Sequence, residues 1–93
     1  MTERASIASD LEALLSGALN VNDFRHKYDS RVASPLLEAI WGNLLHYLAD
    51  ADLRAKDDRY NNMQNGELRK LIQLLREDAP IAHLRRVTFL AVT

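Results

Sequence analysis

Between Ser34 and Leu48 the chain carries Leu36, Leu37, Ile40, Trp41, Leu44, Leu45 and Leu48, apolar residues that recur every three or four positions. An α-helix gathers that spacing onto one side, because residues three and four apart lie above one another along its surface. Ser34-Pro35 marks the start. The serine oxygen can accept from free first-turn amides, and proline at the first helical position has a suitable φ and no amide to leave unpaired. No other segment has so wide an apolar face, which predicts the central core helix and commits its neighbours to helical packing.

Ile7, Leu11, Leu14, Leu15, Ala18 and Leu19 give a preceding amphipathic helix, which Gly17 stops or loosens. Asn20 and Asn22 offer cap oxygens for a short second helix with Val21, Phe24 and Tyr28 on one side and Arg25, His26, Lys27 and Asp29 on the others. Leu68, Leu71, Ile72, Leu74 and Leu75 define a last long helix, opened by Asn65 or a neighbour and closed before Pro80, which disfavours helical geometry at Ala79. Val87, Thr88, Phe89, Val92 and Thr93 suit either a short extended segment or one final turn. Helical patterns cover most of the 93 residues without a repeat or an alternating run. The prediction is one all-α domain over 1–93, a small antiparallel bundle of about four helices.

The stretch Asp50 to Gly66, DADLRAKDDRYNNMQNG, interrupts the apolar pattern, with Leu53, Tyr60 and Met63 as its sizeable apolar groups. It reads as the most exposed connection, in part compatible with helix, and long connections in compact domains are often functional.

Twelve Lys+Arg against thirteen Asp+Glu leave a net charge of −1, without the basic excess of a nucleic-acid-binding domain. The Arg85-Arg86 pair and the Arg25-His26-Lys27 cluster are small and read as solvated faces or carboxylate partners. With no cysteine, disulfides, thiolate zinc sites and cysteine nucleophiles are excluded. The N-terminal stretch MTERASIASDLEALL does not read as a signal peptide, and no apolar run approaches the roughly 20 residues of a membrane span, so the expectation is a cytoplasmic protein with no membrane contact.

His46 and Asp50, four apart, are the sharpest suggestion of a metal site; the ordinary alternative is an i,i+4 contact in which the carboxylate orients the imidazole. Asp50 with Asp52, or Asp57 with Asp58, could be drawn as an acid–base pair, but adjacent carboxylates in a polar segment are usually solvated. There is no glycine-rich phosphate loop, G-x-S-x-G elbow or H-E-x-x-H. Neither catalysis nor a cofactor is expected. What remains is a protein-binding surface between Trp41, in phase with the core stripe, and Tyr60. Tyr47 falls beside that stripe, where its hydroxyl could point outward. Asp50, Asp52, Asp57 and Asp58 are nearly cancelled by Arg54, Lys56 and Arg59, and would form an acidic face for a basic partner if those bases pair elsewhere.

The segment Trp41 to Leu75, a little over one third of the chain, resembles the colicin D immunity protein family and similar immunity proteins of contact-dependent growth inhibition systems. The shared pattern is Trp41 in an apolar helix, Tyr47-Leu48, Asp50-Ala51-Asp52-Leu53-Arg54, the acidic pair Asp57-Asp58, Tyr60, and the leucine-rich helix Leu68 to Leu75. The resemblance implies a helical bundle that binds the nuclease domain of a bacterial toxin, one that cuts transfer RNA in the colicin D case, and blocks its active site. It implies Asp50, Asp52, Asp57, Asp58 and Tyr60 as contacts, to which His46 and Tyr47 are added from the adjoining helix end. Two internal roles remain open: Asp52 pairing with Arg54, and Tyr60 closing the segment onto the bundle. The partner would be the cognate toxin, met by a monomer or weak dimer. The alternative is a helical adaptor or regulatory subunit using an exposed apolar helix face.

Overall fold

The computed structural model describes residues 3–29 and 34–87, which are mostly helical and include no strand. Six helices follow in order: α1 (Glu3–Ser16), α2 (Val21–Asp29), α3 (Pro35–Ala49), α4 (Ala51–Lys56), α5 (Asp58–Arg76) and α6 (Ile81–Leu84). The described residues measure 35 × 26 × 19 Å along their principal axes.

Each long helix buries the face its spacing dictates. In α1 the buried positions are Ile7, Ala8, Leu11 and Leu14. In α3 they are Leu36, Leu37, Ile40, Leu44, Tyr47 and Leu48, and in α5 they are Gln64, Leu68, Leu71, Ile72 and Leu75. Together with Phe24, Tyr28, Leu84 and Val87 their apolar members form one core. The α1–α5 pairing is the most extensive in the fold. Trp41 is half-buried at the edge of that core, its ring 6.3 Å from Phe24 and 6.2 Å from Tyr28.

The start and stop signals act as their chemistry suggests. Ser34 Oγ accepts from Leu37 N at 3.0 Å, and Asn20 Oδ1 accepts from Asp23 N at 2.8 Å. Gly17 ends α1 at φ 84, a left-handed conformation that costs glycine little and other residues about 1–2 kcal/mol. At the end of α5, Asp78 takes φ 60 while Ala79 N donates to Leu74 O at 3.0 Å and Asp78 N to Leu75 O at 3.3 Å, the paired bonds of a Schellman stop.

The polar stretch after Asp50 is helix rather than connection. Asp57 Oδ1 accepts from Arg59 N at 3.0 Å and Tyr60 N at 3.2 Å, so α5 begins at Asp58 and not near Asn65. Neither glycine nor proline intervenes before Gly66, and polar side chains are tolerated because α4 buries no residue and the first turns of α5 are largely exposed. Beyond Pro80, residues 81–84 make a single helical turn, held to α3 by Asn43 Nδ2, which donates to Arg85 O at 3.2 Å and Val87 O at 2.9 Å. Thr88, Phe89, Val92 and Thr93 lie outside the described residues.

Candidate functional site

Gln64 is fully buried at a position where the α5 spacing calls for an apolar residue. A buried amide is costly unless its donors and acceptor are met, and here they are met by charged groups on both sides. Gln64 Nε2 donates to Asp50 Oδ2 at 3.0 Å and to Tyr60 Oη at 3.0 Å, while its Oε1 accepts from Arg54 Nη1 at 2.7 Å. Tyr60 Oη in turn donates to the same Asp50 oxygen at 2.5 Å. The amide therefore lies between a carboxylate at its donor end and a guanidinium at its acceptor end.

A second strand of the network runs through Tyr47, which is buried, with 4% of its surface exposed. Its hydroxyl donates to Asn65 Oδ1 at 2.8 Å, and Asn65 Nδ2 donates to Asn61 Oδ1 at 3.1 Å. Arg54 lies with Cζ 3.7 Å from the centre of the Tyr47 ring and also donates from Nη1 to Tyr47 O. Burial raises the Tyr47 hydroxyl above its ordinary value of 10.0, against the lowering pull of Arg54 and Arg69. The Tyr60 hydroxyl is also raised, first by its hydrogen bond to Asp50.

These positions correct several expectations. Tyr47 points inward, because Asn65 supplies the acceptor that lets a phenol enter the core. Arg54 pairs with the α3 terminus and Gln64 rather than with Asp52. Asp50 does not orient His46: its carboxylate receives Tyr60 and Gln64, and only its backbone N–H reaches His46 O, at 3.1 Å. Tyr60 does close the segment onto the bundle. Asp57 caps α5, so changing Asp50 and Asp57 with the other two aspartates would disturb the helices as well as the surface.

His46, Asp52 and Asp58 are exposed, as are Leu53, Lys56, Asp57 and Arg59. Since Arg54 is half-buried in the network, the outer surface of this corner carries three carboxylates against two cations. Beside it, a cleft of about 430 Å³ runs between Asn20, Val21, Asn22 and Arg25 on one side and Leu48, Ala49, Ala51 and Asp52 on the other. The clearest omission in the sequence reading is Gln64, whose signal was its register with Leu68, Leu71 and Leu75.

Among the described residues no three of His, Cys, Asp or Glu gather as a metal site would require, and no helix is long and apolar enough to cross a membrane. No protein-family model, curated protein or solved structure matches the chain.

Proposed function

We propose that this chain is an immunity protein that binds the nuclease domain of a bacterial toxin, one that cleaves transfer RNA, and inhibits it by covering the active site. In this reading it works in the cytoplasm as a small antiparallel four-helix bundle with two short accessory helices, and is a monomer or weak dimer until it meets the toxin. The binding face is the corner where α3, α4 and α5 meet. The observation that carries the reading is the convergence of Asp50, Arg54 and Tyr60 on the buried amide of Gln64, with Tyr47 joined to it through Arg54, which makes four positions of the immunity-protein pattern members of one network. That arrangement gives the pattern a physical purpose: it braces a short helix whose outward residues are free to meet a partner.

Inhibition would then combine occlusion with charge. Asp52 and Asp58 are the carboxylates at the corner without an internal side-chain hydrogen bond or ion pair among the described residues, and they would meet lysine or arginine groups that otherwise hold substrate phosphates. The adaptor reading needs an exposed apolar stripe, and Leu53 is the one large hydrophobic side chain exposed among the described residues.

The test is co-expression with toxin domains encoded immediately upstream, scoring growth and a one-to-one complex. Rescue is expected, weakened by the double variant D52A/D58A. Absence of rescue by any adjacent toxin, with recovery of a regulatory or metabolic assembly instead, would overturn the proposal in favour of the adaptor.

A further inference from the structure

Helix α4 has six residues and buries none of them. A helix that short does not persist in water without support, since nucleation costs more than so few hydrogen bonds return. Its support is Arg54, which crosses to Tyr47 and Gln64. With Arg54 turned inward, the residue before it but one step around the helix is directed away from the core: Leu53 is 53% exposed. Single exposed leucines are common. This one differs in its setting, because the helix presenting it has no fully buried side chain and is tied to α3 and α5 by the bonds of Arg54.

The exposed charges flanking Leu53 in the sequence have a small acidic excess. Asp52, Asp57 and Asp58 outnumber Lys56 and Arg59 on the exposed surface of the corner. An apolar centre with a charged rim is the usual arrangement of an energetically dominant contact, in which the rim excludes water and selects the partner's sign. Resting on the function proposed above, we infer that Leu53 is the apolar anchor of the interface, seating in a hydrophobic pocket on the toxin domain that is edged by lysine or arginine side chains.

Calorimetric titration of the full chain into a catalytically inactive upstream toxin domain tests this, using wild type, L53A, L53E and, as control, E38Q at the opposite end of α3. The expected result is a Kd raised at least about 30-fold by L53A and further by L53E, with E38Q unchanged and all three variants melting like wild type. Wild-type binding that L53A and L53E leave intact overturns the anchor while the immunity reading stands. Absence of wild-type binding to every upstream domain removes both. Sedimentation of the free protein covers the remaining occupant: a stable dimer abolished by L53E would make a second copy of this chain the partner of Leu53 and overturn the assignment to the toxin.

Discussion

Arg54 lies over the ring of Tyr47 at 3.7 Å from its centre and donates to the carbonyl of the same residue. One side chain thus joins a charge to an aromatic face and also donates to a carbonyl in the last turn of α3. The guanidinium's flat shape makes both contacts possible together, which a lysine ammonium does not reproduce.

Arg54→Ala should therefore free α4 before it affects the rest of the fold. The expected loss is about 2 kcal/mol, within the range for hydrogen bonds to charged groups. Amide exchange gives the sharper reading: the Asp57 amide, bonded to Leu53 O at 3.0 Å, should exchange much faster, while the amides of Leu71 and Leu75 keep most of their protection. Arg54→Lys should recover only part of the difference. Uniform loss of protection in every helix would show that α4 is not an independent unit.

Gln64 should tolerate neither an apolar nor an acidic replacement. Gln64→Leu fits the register of α5 but leaves Asp50 and Arg54 without their shared amide, and should cost about 2–3 kcal/mol. Gln64→Glu keeps the acceptor for Arg54 but replaces a donor facing Asp50 with a second carboxylate oxygen. Its deficit should shrink as the pH is lowered and a carboxyl proton restores the donor. Urea unfolding of both variants at two pH values checks the contrast.

Alkaline pH should weaken the fold through its tyrosines. The hydroxyls of Tyr47 and Tyr60 are raised above 10.0 in the folded state, so the folded protein holds their protons where the unfolded chain releases them. The stability from these groups is complete below about pH 10 and declines as pH rises from there through the folded values. Phenolate absorbance should show two tyrosines titrating late, and Tyr47→Phe should flatten the decline.

The three glycines should respond to alanine with opposite signs. Gly42→Ala and Gly66→Ala add a methyl group where nothing lies within 4 Å, in the interior of a helix, and should stabilise by about 0.5–1 kcal/mol each. Gly17→Ala meets equally open space but must hold φ 84, and should destabilise by about 1 kcal/mol. Thermal melts of the three variants separate conformational cost from packing.

The sequence announces the parts of this fold that rest on local chemistry. Ser34-Pro35 and Asn20 name their helix starts because a cap needs only a neighbouring oxygen and an amide, and the leucine spacing of α3 reveals its buried face without reference to anything else. The start of α5 was hidden because its first buried residue is a glutamine; a stripe sought among hydrocarbons begins at Leu68, one turn too late. Tyr47 was misplaced for a related reason. Whether a phenol can enter a core depends on an acceptor, and Asn65 lies on another helix. The internal duties of Asp50, Arg54 and Tyr60 likewise exist only once α3, α4 and α5 meet.

The capping by Asp57 has a further consequence. The residue ends α4 through its own amide and opens α5 through its carboxylate, so a single position serves both helices with no spacer between them. The corner consequently behaves as a bracket with a detachable facing. The side chains of residues 52, 53, 56, 58 and 59 can be exchanged at little expense to the frame behind them, and such a chain could be re-addressed to an altered partner by substitutions on its outer edge while the hinge pin at Asp57 stays in place.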